Sequence, residues 1–259
     1  MRKTSKLELC DALAAFELPK NRTYIVHSSL YSLGVFEGGC SGIIDCLSSV
    51  LGENATICMP TFTFSFTKQN AWCYWKSKSE TGALTDFYRL SSGVDRSIHP
   101  IHSIAVKGLH KSNYTSCNNL SSFGPNNPFE KLIENDAINI GLGVGLVGGA
   151  TFLHYAEEAS EVPYRFMKNF LGVVLDRRGA VVDAHFKMFA RKTDKTGAYE
   201  NDWRQLSADL KEKNMIKSGR LGYGEIMSMK TADCHEFLMS KLRKDPYYIA
   251  IKREERGNV

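Results

Sequence analysis

A histidine, two glutamates and a run of glycines lie close together in residues 141–158, GLGVGLVGGATFLHYAEE. His154 stands in what reads as the first turn of a helix beginning near Thr151, and Glu157 and Glu158 follow three and four residues later. Those spacings share one helix face, so an imidazole and a carboxylate meet beside a glycine-rich opening. Proton transfer next to a bound anion is the chemistry that such a pairing suits. The partial positive charge at a helix N-terminus disfavours imidazolium, which a general base requires. Glu157 would orient the ring through one nitrogen, or oppose that effect. A half-buried helix histidine with a solvent-facing glutamate has the same spacing.

A second cluster, Asp95-Arg96-Ser97-Ile98-His99-Pro100-Ile101-His102-Ser103, holds a guanidinium, hydroxyls and two imidazoles within nine residues. Arg96 could grip a phosphate in bidentate fashion, or the stretch could be a polar loop. His99 and His102 lack helical i, i+4 spacing and a third ligand, so no metal is expected. A third stretch, His27-Ser28-Ser29-Leu30, is equally compatible with a ligand contact and a serine turn. The glycine loop does not match the dinucleotide fingerprint, and there is no phosphate-loop lysine motif. Its glycines allow a close backbone approach or a tight turn.

The elements that must position these groups read as an α/β chain. Residues 7–16 have helical spacing. Residues 23–26 form a strand, and a helix follows in which Ser41 is a plausible N-cap and Ile43, Ile44, Leu47, Val50 and Leu51 make one stripe. Residues 56–59 return as a strand, and a strand–helix–strand unit of this length predicts parallel pairing. The HSSL, PTFTFS and Gly141 segments each follow a strand, so all three are expected at one carboxyl edge of a sheet. Residues 67–97 show no period and are expected to be a long irregular excursion. Further strands are expected at 104–106 and 138–140. Asn127 should cap a helix opened by Pro128, a hairpin should turn around Arg177-Arg178-Gly179, and Asp233 with Glu236 suggests a capping box. With no repeat or linker, one α/β domain over 1–259 is favoured, with an insertion near 67–97 and a weakly patterned C-terminal part, 187–259.

Composition bounds the function. The chain has 259 residues, 43% hydrophobic and 24% charged, with a net charge of +5, which is ordinary for a soluble globular protein. The basic groups at Lys241, Arg243 and Lys244 and in the tail 252–256 read as solvated ends, so no nucleic-acid partner is expected. No apolar run approaches the ~20 residues of a membrane span. Seven cysteines without CxxC spacing, and no signal peptide, point to a reducing cytoplasm and no zinc site.

Taken in order, HSSLYSLGVFEGG, MPTFTFS, RSIHPIHSIAVKG, FGPNNPFEKL, GLGVG and TFLHYAEE resemble the aminoglycoside 3-N-acetyltransferase family, from about residue 22 to residue 173. The resemblance implies a three-layer α/β/α fold on a mixed sheet and acetyl-CoA-dependent N-acetyl transfer without a metal. It also implies His154 as general base, an orienting role for Glu157, and coenzyme A held by Ser28, Ser29, Arg96, Ser97 and Ser103. Direct attack by the amine is expected, rather than an acyl carrier at Cys40 or Cys58. Family members acting on aminoglycosides usually carry an acid shortly before the TxLHxAE helix, where this chain has Val147-Gly148-Gly149. A polycation wants carboxylates, so the expected acceptor is another amino sugar, nucleotide-linked or otherwise anionic. The alternatives are an aminoglycoside resistance enzyme, an acyl-thioester hydrolase and an inactive coenzyme A-binding module. Homo-oligomerisation is left open.

Overall fold

The computed structural model describes residues 2–117, 119–182, 185–193 and 198–253. Residues 254–256 of the basic tail lie outside them. A seven-stranded mixed sheet forms the centre. Its strands are β1 (Thr23–Ser28), β2 (Thr56–Pro60), β3 (Asp95–Arg96), β4 (Ile104–Lys107), β5 (Ile138–Leu142), β6 (Ile216–Leu221) and β7 (Gly224–Lys230). The spatial order is β6-β7-β5-β1-β2-β4-β3. β1 runs parallel to both neighbours, β2 and β5, while the outer pairings are antiparallel. The central strands read as continuous apolar runs because both of their faces are covered.

Alternation along those strands divides the core. Tyr24, Val26, Ile57, Met59, Ile138 and Ile140 pack on one face with Leu9 and Leu13 of α1 (Lys6–Ala14), Ile43, Leu47 and Leu51 of α2 (Gly39–Leu51), and Leu84 and Tyr88 of α3 (Ala83–Tyr88). Ile25, Cys58 and Met227 point to the other face. There they meet Phe129 and Leu132 of α4 (Pro128–Glu134), Ala156 of α5 (His154–Ala159), Leu206 and Leu210 of α6 (Arg204–Glu212), and Leu238 and Leu242 of α7 (Thr231–Leu242). Helices thus cover both faces, the three-layer arrangement. Each fully buried Leu or Ile contributes roughly 1.5–3 kcal/mol relative to exposure.

Several local expectations change. α2 begins at Gly39 after Gly38, whose φ of 74° is left-handed, and Ser41 lies inside the helix. α7 begins after Lys230 without a side-chain cap, so Asp233 and Glu236 form no capping box there. Residues 67–97 are irregular only in part. A turn of helix (Phe66–Gln69), a strand (Ala71–Cys73), α3 and β3 occupy them. The aromatic residues that hid any period fill a third core, where Trp72 and Tyr74 join Phe66, Ile101, Phe170, Val174 and Phe186. The hairpin around Gly179 is present, pairing Val174 with Val182 and Leu175 with Val181. Asn127 caps α4 through its side-chain oxygen, with Pro128 at the first position.

Candidate active site

β1, β2 and β5 are mutually parallel, so the loops after them meet at one edge. The Ser29 amide donates to the Leu142 carbonyl at 2.9 Å, tying the HSSL loop to the glycine loop. Gly143, at φ +75°, passes so close that an added Cβ would lie 2.7 Å from the Ser29 carbonyl oxygen. Only glycine combines that φ with that approach. Ser29 caps the short helix Leu30–Leu33 through its hydroxyl, and Ser28 and Ser29 are both part-exposed.

The glycine loop leads into a single 3-10 turn (Thr151–Leu153) and then into α5, which starts at His154. His154 is therefore preceded by a helical turn rather than by open amides. Its Nδ1 is hydrogen-bonded to Glu157 Oε2. Phe123 and Trp203 wall the ring at centroid distances of 5.2 and 5.6 Å. The His154 side chain is 26% exposed and the Glu157 side chain 0%. No protein hydrogen bond occupies Nε2 among the described residues.

Glu157 is the hub. Its Oε1 accepts from the Tyr164 hydroxyl at 2.7 Å, Arg165 Nε at 3.0 Å and Asn201 Nδ2 at 2.8 Å, while Arg165 Nη2 sits 2.9 Å from Oε2. Burial alone would raise this carboxyl. The charges of His154 and Arg165, with the hydrogen bonds from His154 and Tyr164, overcome it and hold the group down at about 2. The result is an ionised, fully bonded carboxylate with one oxygen on the imidazole.

Three other histidines are of a different kind. His27 is 5% exposed, and its Nε2 lies 2.6 Å from Thr151 Oγ1. Burial pushes it down to about 3, opposed only in part by the neighbouring Asn139 side-chain oxygen. His99 is pushed down to about 4 and His102 well below the usual range, both chiefly by burial. His102 Nδ1 is 2.7 Å from the Ser122 hydroxyl, and the ring packs edge-on against Phe62. These three are neutral core imidazoles.

Arg96, Ser97 and Ser103, expected to hold coenzyme A, lie buried in an internal hydrogen-bond network. Arg96 is 3% exposed, and Ser97 and Ser103 are fully buried. The guanidinium donates to Ser103 Oγ at 2.9 Å, the Ser77 carbonyl at 2.7 Å, the Thr61 carbonyl and Thr63 Oγ1, and it stacks over Trp72. Ser103 Oγ donates in turn to the Thr61 carbonyl, and Ser97 Oγ accepts from the Ile104 amide. Desolvation brings Arg96 down to about 9. The cluster staples the PTFTFS segment to the sheet, and its donors are already used.

Sequence reasoning missed Arg165, Tyr164, Asn201 and Trp203. Asn201 lies 44 residues from Glu157 along the chain, in a strand (Tyr199–Asn201) within a polar stretch with no period of its own. Arg165 opens the strand Arg165–Phe170, which pairs with Phe186–Arg191. A Tyr-Arg pair shortly after the helix was the only available signal. Trp203, in the weakly patterned C-terminal part, supplies a wall of the histidine pocket. Beside α5 runs a cleft of about 550 Å³, with Gly124, Glu158, Glu161, Arg165, Phe189 and Lys192 among its lining. Burial raises Glu158 above the usual carboxylate range, against a hydrogen bond from Ser121.

A buried carboxylate bonded to a part-exposed imidazole stands beside the carboxyl edge of a mixed sheet, and a family match gives the class of protein. The chain belongs to the aminoglycoside 3-N-acetyltransferase family, whose model matches residues 25–243, and it is an acetyl-CoA-dependent N-acetyltransferase. It is 24% identical to the SPbeta prophage-derived aminoglycoside N(3')-acetyltransferase-like protein YokD of Bacillus subtilis, over 92% of this chain and 89% of that protein. It is 27% identical to aminoglycoside N(3)-acetyltransferase IV of a Salmonella species, over 93% and 88%. The solved binary complex of AAC-IIIb with CoASH shares the fold, with a TM-score of 0.80 at 20% identity over 94% of this chain and 97% of that one. Among the described residues no helix is long and apolar enough to cross a membrane.

Proposed function

We propose that this chain, acting as one α/β domain, transfers the acetyl group of acetyl-CoA directly to an amine of an aminoglycoside, the 3-amino group in the family's pattern. The observation that carries the reading is the His154–Glu157 pair: Nδ1 is engaged by an ionised carboxylate, and the ring is part-exposed. With Nδ1–H donated to Glu157, the lone pair of Nε2 is the one available to a substrate. The acceptor reaches the site as an ammonium and must lose a proton to attack. That proton is released to solvent, and His154 takes a second one at Nε2 as the nitrogen of the neutral amine bonds to the thioester carbonyl carbon. The carbon–sulfur bond then breaks, and the coenzyme A thiolate leaves and receives the proton from imidazolium. Developing charge on the carbonyl oxygen needs preorganised donors, a role the glycine-loop amides or the HSSL hydroxyls could fill.

Ser28 and Ser29 are the serines we assign to coenzyme A, because they are part-exposed where the two loops meet. Direct transfer is supported by the cysteines. Burial raises the thiols of both Cys40 and Cys58, and Cys58 is wholly buried, so neither is activated as an acyl carrier. The expectation of a nucleotide-linked acceptor has no counterpart among the relatives, whose names are those of aminoglycoside acetyltransferases, and the aminoglycoside reading replaces it. The carboxylates of Glu158 and Glu161 in the cleft beside α5 offer the acidic contacts that Val147-Gly148-Gly149 lacks.

The test is release of coenzyme A thiol from acetyl-CoA with a panel of aminoglycosides and amino-sugar nucleotides, for the wild type and His154→Ala. Release that depends on an aminoglycoside, with kcat lowered by about 10²–10⁴ in the variant and coenzyme A binding retained, is expected. Release without any amine would make the protein a thioester hydrolase. Faster turnover of amino-sugar nucleotides would overturn the acceptor assignment.

A further inference from the structure

We propose that Arg165 is a positioning residue for this transfer, holding the Glu157 carboxylate jointly with His154 and keeping the imidazole free as a base. The proposal rests on His154 being that base. Arg165 grips Glu157 side-on, Nε to Oε1 at 3.0 Å and Nη2 to Oε2 at 2.9 Å. The oxygen contacted by Nη2 is the one that also holds His154 Nδ1, and Nη2 is itself 3.5 Å from Nδ1. Asn201 Oδ1 at 2.8 Å and the Phe189 carbonyl at 3.0 Å fix the rest of the guanidinium.

Charge balance gives this geometry its consequence. Glu157 and Arg165 already neutralise one another, with side chains 0% and 10% exposed. Protonating His154 therefore leaves a net positive charge between the Phe123 and Trp203 rings, which desolvation and the neighbouring guanidinium both oppose. Without Arg165 the carboxylate and an imidazolium would form a neutral pair, and the ring would hold its proton to higher pH. Arg165 thus shares with the imidazole the carboxylate that orients the ring. The same guanidinium helps the imidazolium give up its proton to the leaving thiolate.

Other groups facing this cluster do not supply the effect. His102 is neutral, Tyr164 is kept protonated by burial, and Asn201, Phe123 and Trp203 carry no charge. Glu158 on the same helix bonds to the Ser121 hydroxyl, is raised by burial against the charge of Arg165, and remains in every variant below. Glu200 is ion-paired with Arg253. Arg191 is the cross-strand neighbour of Arg165 and remains in every variant below.

The experiment follows the His154 ring by nitrogen NMR across pH, with the signal assigned through His154→Asn, and needs no substrate. In Arg165→Gln the midpoint of the ring titration should rise by about one pH unit, and Arg165→Lys should keep it near the wild-type value. In kcat against pH, Arg165→Gln should lose about tenfold on the acid side and recover as pH rises. A role confined to packing would lower kcat equally at all pH values and leave the titration in place, which would overturn the proposal. If Arg165→Gln does not fold, Asn201→Asp sets a carboxylate against the same guanidinium and must raise the midpoint. An unmoved midpoint there has the same force. Because the titration is read without turnover, loss of the acetyl-transfer reading would show in the thiol assay and leave this result interpretable.

Discussion

Glu157→Gln is the sharpest perturbation of the site, because it removes one charge and changes almost no volume. The carboxylate is fully buried and bonded to His154, Tyr164, Arg165 and Asn201. Folding moves its pKa from 4.5 to about 2. At ~1.4 kcal/mol per pH unit, that shift corresponds to roughly 3 kcal/mol of stability at neutral pH. Removing one member of a buried ion pair costs about 3–5 kcal/mol by an independent route, since Arg165 would be left buried with only amide and carbonyl partners. The two estimates agree at about 3 kcal/mol. The pH dependence has a definite sign. The folded state binds this proton less readily than the unfolded chain, so the contribution is complete above about pH 4.5 and is lost as pH falls toward about 2. Urea unfolding of wild type and Glu157→Gln at pH 7 and pH 3 reads both effects. A gap of about 3 kcal/mol at pH 7 that narrows markedly by pH 3 is expected. A gap below ~1 kcal/mol at pH 7, or one that does not change with pH, would refute the view of Glu157 as an ionised, fully compensated hub.

Three further outcomes follow from the same structure. His27 and His99 are held at about 3 and about 4 by burial, so the unfolded chain takes up protons first; stability should fall as pH drops from 6.5 toward 4, and a melting temperature flat over that range would contradict their neutral burial. Asn127→Ala removes the cap of α4, whose side-chain oxygen accepts from the Phe129 and Glu130 amides at 2.6 and 3.1 Å; the loss should be about 1–2 kcal/mol by denaturant midpoint, with the acetyl-CoA KM little changed. Gly143→Ala forces a side chain into a left-handed backbone against the Ser29 carbonyl; a loss of roughly 1–3 kcal/mol with a raised KM for acetyl-CoA is expected, and wild-type values in both would remove this loop contact from the site.

Much of the framework could be read from sequence because it depends on local patterns. The strands at 23, 56 and 138 are apolar runs bounded by breakers, and the helices between them carry stripes with helical spacing. Parallel pairing then follows from chain connectivity, which brings the HSSL, PTFTFS and glycine loops to one edge. His154 and Glu157 meet because three residues make about one helical turn. Residues 67–97 resisted reading because their aromatic side chains serve a separate small core, whose partners at 170, 174 and 186 are distant in sequence.

The site divides in the same way. By itself the sequence determined the imidazole–carboxylate pair, the family and the reaction, since these rest on short motifs in fixed order. Only the tertiary structure decided what surrounds that pair. Arg96, Ser97 and Ser103 have residue types suited to a phosphate, yet burial within an internal hydrogen-bond network turns them into a staple. Arg165, Tyr164 and Asn201 carry no motif, yet they converge on one buried carboxylate and set its charge. Spacing along one helix specifies which residues are neighbours there, whereas burial and charge balance depend on segments that meet only when the chain has folded.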